Sequence, residues 1–356
     1  MIIQTPIAQL VINWFHFHGR KNLPWKKKNN NIYHIWISEI MLQQTQVNTV
    51  IPFYKKFIIR FPSIQTIQQT SLDEVLYYWS GLGYYRRAVS IYNTAQIIYY
   101  KYNNLFPETI EKLIKLPGIG KTTAGAILSF SKNFCFAILD INIKRILVRY
   151  YYLINANTSK KFENFLWKII NSILPLHQAS YFNQGIMDLG ATICTPIKPK
   201  CNICPLKNHC LYCKKDIYKQ DSYLLLKKKK IRIIQKKFWC CIIQYQNYIL
   251  IEKQINTTIW KNLFCFPLFK KYNDLNKWIS NNNIIVNKKI QFINTIQCKY
   301  THFNVKILPI IYISNNICKT KKNFIWFNYK YPIKLGFPVF ISKIIKIIQL
   351  KEKNNE

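Results

Sequence analysis

The sequence predicts a mostly α-helical region built around a helix-hairpin-helix, followed by a smaller α+β domain. Three observations carry the prediction. Helical apolar spacing persists from Leu10 to Leu189, a Pro-Gly-x-Gly turn from Pro117 to Gly120 interrupts it, and beyond a Lys-rich stretch from Lys214 to Lys237 the pattern changes to short strand-like apolar runs. A chain of 356 residues has the length for two domains.

The first helix, within Met1 to Arg20, is amphipathic through Leu10, Val11, Trp14 and Phe15. No basic leader precedes an apolar core, and no window reaches the length and apolarity of a membrane span, so a cytoplasmic protein is expected. Arg20 to Trp25 ends this helix, and a second is expected from Tyr33 to Val47, placing Glu39 and Gln43 on one face. From Ile51 to Tyr100 further helices are punctuated by Phe61-Pro62, by a Ser71-Leu-Asp-Glu74 capping box and by Gly81-Leu-Gly-Tyr-Tyr-Arg-Arg87. That Gly-x-Gly fits either a plain turn or a backbone-gripping turn whose aromatics stack on bases.

Leu113 to Arg145 organises the helical region. Pro117, Gly118 and Gly120 break the helix, and Lys121, Thr122 and Thr123 open a second one rich in small residues. Glycines at a helix N-terminus expose backbone N–H groups toward an anion such as a DNA phosphate, although an ordinary tight turn has the same pattern. About twenty residues on, Asp140 interrupts the apolar run Ile138-Leu-Asp-Ile-Asn-Ile143, as either a helix N-cap or a catalytic carboxylate.

The chain has 52 Lys and Arg against 14 Asp and Glu, a net charge of +38, which points to a polyanionic partner. Only seven of the cations are Arg, and the abundance of Ile, Asn, Tyr and Lys is what an AT-rich genome writes, so part of that charge is compositional drift. The scarce acids are therefore informative. Glu39, Asp140 and Asp188 are embedded in apolar runs, where burial raises a carboxyl pKa and can create a proton donor.

Cys194, Cys201, Cys204 and Cys210 follow the spacing C-x6-C-x2-C-x5-C, with Pro196, Pro199 and Pro205 bending the loops between them. In a cytosolic chain such density argues for metal, and the compact run favours a [4Fe–4S] cluster over the paired knuckles usual for zinc. Cys213 falls outside the pattern, and the other six cysteines are read as small core residues. In the last domain, strands are expected at Phe238–Ile243, Tyr248–Glu252, Cys265–Phe269 and Val305–Ile313, with helices near Leu275–Ser280 and Ile341–Lys351.

In this order the motifs resemble the adenine DNA glycosylases of the MutY family, within the helix-hairpin-helix superfamily of endonuclease III. The likeness is densest at Trp36–Val47, Gly81–Arg86, Leu116–Leu128, Phe182–Cys210 and Tyr300–Phe303. It implies residues 1–213 as a glycosylase region, comprising a six-helix lobe (about 28–133) and a cluster lobe (1–27 and 134–213) with one [4Fe–4S] cluster on the loop 194–210. A linker at 214–237 and a Nudix-like 8-oxoguanine-recognition domain at 238–356 would follow.

The implied reaction is base excision. Adenine opposite 8-oxoguanine or guanine in duplex DNA is flipped out and its N-glycosidic bond hydrolysed, leaving an abasic site. The residue matching Glu39 protonates the adenine, the one matching Asp140 stabilises the sugar cation and transiently bonds it, and Asn142 supports Asp140. Trp25 and Gln184 match the adenine pocket. Gln43 and Tyr84 match residues that enter the duplex beside the oxidised guanine. Leu116, Gly118, Gly120 and Thr122 match the DNA-gripping hairpin, and Thr301 and His302 the lesion-reading loop.

Thr122 stands where bifunctional relatives carry a nucleophilic lysine, which implies a monofunctional enzyme, with Lys144 left as a slow trap for an abasic aldehyde. Ile141 replaces the usual Gly between Asp and Asn. Lys261-Asn262 replaces the paired Gly after Trp260, and Thr301 replaces Ser, departures that put the placement of Asp140 and lesion selectivity in question. A monomer associated with a bacterial nucleoid, with no membrane partner, is implied. An endonuclease III-like lyase and a lesion-binding protein with decayed catalysis are the competing readings.

Overall fold

Twelve α-helices precede the first strand among the described residues, which in this computed structural model are 6–26, 31–153, 159–214, 233–257, 259–282, 284–292, 294–300, 303–317 and 323–353. The helices are α1 (Pro6–His18), α2 (Ile32–Leu42), α3 (Val47–Arg60), α4 (Ile64–Gln68), α5 (Leu72–Trp79), α6 (Arg86–Lys101), α7 (Ile110–Leu113), α8 (Lys121–Lys132), α9 (Ile141–Tyr150), α10 (Lys160–Ile173), α11 (Ala179–Thr192) and α12 (Leu211–Lys214). None is long and apolar enough to cross a membrane.

The helix expected to run from Tyr33 to Val47 is broken. It ends at Leu42, Gln44 takes a left-handed backbone (φ 56°), and α3 begins at Val47. A left-handed residue cannot continue the i to i−4 hydrogen-bond ladder. The capping box is half made: Ser71 Oγ accepts from the Glu74 N–H at 3.2 Å, whereas the Glu74 carboxylate accepts from Thr70 and pairs with Lys334.

By internal contacts the chain forms two units, residues 1–68 with 90–228, and residues 69–89 with 229–356. In the first, α2 packs on α8 and α1 on α11, and an apolar core of Val11, Ile138, Leu147, Ile170, Phe182 and Leu189 runs beneath the thiol loop. Residues 69–89, expected in the six-helix lobe, group instead with the second unit, because α5 and its following turn pack on the C-terminal fold.

That fold contains eight strands: β1 (Ile234–Tyr245), β2 (Tyr248–Lys253), β3 (Phe264–Cys265), β4 (Leu268–Phe269), β5 (Val286–Phe292), β6 (Ile296–Lys299), β7 (Phe303–Ser314) and β8 (Phe324–Asn328). The sheet order is β3-β2-β1-β7-β5, with β4 on β1, β6 on β7 and β8 on β2. β1 and β7 are parallel, from Ile234 opposite Phe303 to Gln244 opposite Ile313. One face, through Cys240 and Ile242, is covered by α14 (Val339–Lys353), and the other, through Cys241 and Ile243, by α13 (Tyr272–Asn281). Burial on both faces explains why this strand reads as a continuous apolar run. Cys240, Cys241 and Cys265 are core residues as expected, whereas Cys135 is exposed, Cys298 is half-buried and Cys318 lies outside the described residues.

Candidate active site

Glu39 lies one turn from the end of α2 and lines a cavity of about 60 Å³ together with Trp25, Lys26, Gln184 and Asp188. Burial, and then the negative charge of Asp140, push its carboxyl up to about 7, against the pull of Lys26. At neutral pH it is therefore divided between acid and carboxylate. Trp25 is buried, its ring edge-on to Tyr54 at 5.3 Å, and Gln184 reaches from α11, held by its Nε2 donating to Ser180 Oγ at 3.1 Å.

Asp188, the other carboxylate in this cavity, is fully paired. It accepts from the Arg20 backbone N–H at 2.9 Å and from Arg20 Nε at 2.8 Å, and Lys26 Nζ lies 3.9 Å away. Its role in holding the two cations was not legible in the sequence beyond its apolar setting.

Asp140 is the N-cap of α9, so the first of the two readings of its position is correct. Oδ1 accepts from the Ile143 N–H at 2.7 Å and Oδ2 from Asn142 Nδ2 at 2.9 Å. Capping and chemistry do not exclude each other, since the cap fixes the carboxylate's direction. Burial raises its carboxyl, while those two bonds and the Arg145 charge oppose the rise. Asp140 is not among the residues lining the Glu39 cavity, yet it is close enough for its charge to act on Glu39.

The support behind Asp140 is deep. Arg145, buried, donates to Asn142 Oδ1 at 2.9 Å, to the Gly190 carbonyl at 2.6 Å and to the Cys194 carbonyl at 2.7 Å. A Cβ on Gly190 would fall 2.7 Å from Asn142 Cβ, so a glycine is required where α11 meets this turn. Neither residue was singled out by sequence reasoning. Ile141, the replacement for the usual glycine, opens α9 with its side chain 59% exposed and is not among the positive-φ residues, so a side chain fits without moving Asp140.

The hairpin joins α7 to α8. Gly118 has φ 77° and is exposed, and Gly120 is the N-cap of α8 with no side-chain bond to the first turn. Leu116 is buried, so what this turn offers outward is its backbone. Gln43 Nε2 donates to the Gly118 carbonyl at 3.2 Å and to Thr123 Oγ1 at 3.4 Å. Thr122 Oγ1 donates to the Leu139 carbonyl at 3.2 Å, Lys121 Nζ lies 4.2 Å from the Trp167 ring centre, and Lys144 Nζ is paired with Glu163 at 2.6 Å.

Cys194, Cys201, Cys204 and Cys210 line one cavity, as does Cys213, which lay outside the sequence pattern. Burial pushes the Cys201 thiol up to about 11 and the Cys204 thiol up to about 12, so these sulfurs need a cationic partner to become thiolates. Among the described residues no three ligand side chains are drawn close enough for one metal ion. Four thiols around a common cavity are the donor set that an iron–sulfur cluster takes. Arg149 closes the loop, donating to the Thr195 carbonyl at 2.7 Å, to the Pro196 carbonyl at 3.1 Å and to Cys194 Sγ at 3.4 Å.

In the second unit Tyr84 is exposed with φ 48°. Tyr300 and Phe303 stack at 4.8 Å, the Tyr300 N–H donates to the Phe303 carbonyl, and Trp260 Nε1 donates to the Tyr300 hydroxyl at 3.0 Å. Thr301 and His302 lie outside the described residues. Trp260 (φ 61°) and Asn262 (φ 66°) keep the left-handed backbone that glycine favours, and Asn tolerates it best after glycine.

A family model for the helix-hairpin-helix superfamily of base excision DNA repair proteins matches residues 37–172. The iron–sulfur binding domain of endonuclease III matches 194–210 and the NUDIX domain 238–346. A solved thermostable thymine-DNA glycosylase is 27% identical, with a TM-score of 0.52 over 58% of this chain and 95% of its own. An endonuclease III in complex with DNA, 20% identical with a TM-score of 0.51 over 59% of this chain and 94% of its own, shares the fold. Fold and matched models together define a base-excision DNA glycosylase whose cofactor is a [4Fe–4S] cluster.

Similarity extends over almost the whole chain in closer relatives. An adenine DNA glycosylase of Buchnera aphidicola subsp. Schizaphis graminum is 49% identical over 96% of this chain and 98% of its own, and that of subsp. Baizongia pistaciae is 50% identical over 98% of each. The chain belongs to the adenine DNA glycosylases, hydrolases of N-glycosyl bonds.

Proposed function

We propose that this enzyme releases adenine mispaired with 8-oxoguanine or guanine in duplex DNA, leaving an unbroken abasic strand. One observation carries the reading: Glu39 is held near pKa 7 in a cavity with Trp25 and Gln184, beside the charge of Asp140. A half-protonated acid next to a carboxylate is the pairing that glycoside hydrolysis uses. Glu39 donates its proton to the extruded adenine, and Asp140, aimed by its cap and by Asn142, stabilises the positive sugar and transiently bonds it.

The backbone of Gly118 and Gly120 at the start of α8, with Leu116 and Thr122 behind it, takes phosphate. Gln43 and Tyr84 enter the stack beside the oxidised guanine, which Thr301 and His302 read. Residues 1–213, 214–237 and 238–356 serve as catalytic region, linker and recognition domain, and the enzyme works as a cytoplasmic, nucleoid-associated monomer. Cys194, Cys201, Cys204 and Cys210 hold the [4Fe–4S] cluster, which when bound ties the loop covalently together beneath α9 and α11. With Thr122 bonded to Leu139, Lys121 over Trp167 and Lys144 paired with Glu163, the amine needed for lyase chemistry is engaged elsewhere.

The test is excision under single turnover on A:8-oxoguanine, A:G and thymine-glycol duplexes, with and without alkali. Adenine release with strand breaks only after alkali is expected, lost in Glu39→Gln and Asp140→Asn. Activity on thymine glycol with spontaneous strand scission would favour a lyase, and tight binding without adenine release a decayed lesion binder.

A further inference from the structure

Residues 69–89 lie between helices of the first unit in the sequence but pack with the second. Their attachment is specific. Both backbone groups of the buried Phe337 are taken up by this segment: its N–H donates to Ser80 Oγ at 3.2 Å, and its carbonyl accepts from the Tyr85 hydroxyl at 2.9 Å. The same hydroxyl accepts from the Gly81 N–H at 3.3 Å. Ion pairs flank the joint, Asp73 with Lys253 at 2.7 Å and Glu74 with Lys334 at 2.9 Å. Phe337 belongs to the core under α14, its ring edge-on to Phe327 at 5.3 Å, so the segment is fixed to the rigid part of that unit.

The turn carried by this joint has a set shape. Arg87 is buried, 5.4 Å from the Trp79 ring and 5.3 Å from the Tyr84 ring, and donates to the Gly83 carbonyl at 3.1 Å and the Tyr84 carbonyl at 3.4 Å. Trp79 Nε1 also donates to the Gly83 carbonyl at 3.0 Å.

We infer that Tyr85 is a positioning residue for Tyr84, pinning the Gly81–Arg87 turn to the lesion-reading unit so that the intruding ring and the stacked Tyr300 and Phe303 rings share one frame. This rests on the reading of Tyr84 and of that unit given above. The two features are neighbours: burial raises the Tyr300 hydroxyl's pKa, and the Tyr85 hydroxyl is close enough to add to the rise. Plain packing of α5 on the sheet would need apolar contact only. A hydroxyl that joins the turn to the core at one oxygen instead fixes direction, and direction matters to a side chain that must enter a base stack opposite a base read by the same unit.

The test uses the full-length holoenzyme and the ratio of single-turnover rates on A:8-oxoguanine and A:G duplexes, for the parent, Tyr84→Ala, Tyr85→Phe and the double variant. Tyr85→Phe should lower the ratio about fivefold, the size of one neutral hydrogen bond. The double variant should fall no further than Tyr84→Ala alone, because residues acting through one another are not additive. Multiplying effects, or an unchanged ratio in Tyr85→Phe while Tyr84→Ala lowers it, would overturn the inference and leave the reading of Tyr84 intact. An unchanged ratio in Tyr84→Ala itself would remove both. Ser80→Ala, which breaks the other side of the pin, should repeat the result if Tyr85→Phe melts early.

Discussion

Replacing Glu39 by Gln should abolish excision and at the same time stabilise the protein above neutral pH. The carboxyl is held at about 7 in the fold against an ordinary 4.5. Between those values the folded chain binds a proton that the unfolded chain has released. Stability therefore falls as pH rises through this window, by about 1.36 kcal/mol for each pH unit, or about 3 kcal/mol in all. Gln carries no charge to desolvate. Unfolding by urea, compared between parent and Glu39→Gln, should show the variant gaining about 3 kcal/mol relative to the parent between pH 4.5 and pH 8, whatever other groups titrate in both. The excision rate of the parent should fall roughly tenfold between pH 6 and pH 8 as the acid form is depleted. A stability difference that is the same at both pH values would refute the claim that the fold holds a proton on Glu39.

Removing the cation that opposes this rise, Lys26→Met, should move the alkaline limb of the excision profile to higher pH, read from rates measured from pH 6 to pH 9. Gly190→Ala places a methyl against Asn142 and should slow excision by about ten- to a hundredfold through misaiming Asp140. Duplex binding measured by fluorescence anisotropy should be unchanged. Arg149→Leu leaves the Thr195 and Pro196 carbonyls without their donor. Purified protein should then retain less iron and lose about 2–4 kcal/mol in denaturant unfolding.

The helical region was legible because its signals are local: Pro117, Gly118 and Gly120 break a helical pattern, and Ser71 before Asp73 and Glu74 fits a helix cap. The break at Gln43–Gln46 was not, since a left-handed Gln44 leaves no compositional mark and Gln43 is engaged by Gly118, 75 residues away. β5 and β6 were missed because Asn, Lys and Gln fill their sequences and obscure alternation, and β8 because Phe324–Asn328 is a short apolar run of five residues with no alternation to read. Attachment of residues 69–89 to the second unit rests on partners such as Lys253 and Phe337, which no reading of one stretch can supply. At the site, carboxylates in apolar runs marked Glu39, Asp140 and Asp188. Arg145 and Gly190 escaped because their importance lies in what they touch.

Those three carboxylates solve a problem set by the composition. A net charge of +38 is a positive background that favours the ionised form of an acid and works against a proton on Glu39. Two cations line the very cavity that holds it. Asp188 answers both: it is clasped by Arg20 through a backbone and a side-chain donor and lies within reach of Lys26. Burial and Asp140 prevail over Lys26, and Glu39 stays near 7. Exposed lysines are screened by salt within about 10 Å, so the charge that bears most on the proposed proton donor is the one inside its own cavity, that of Lys26.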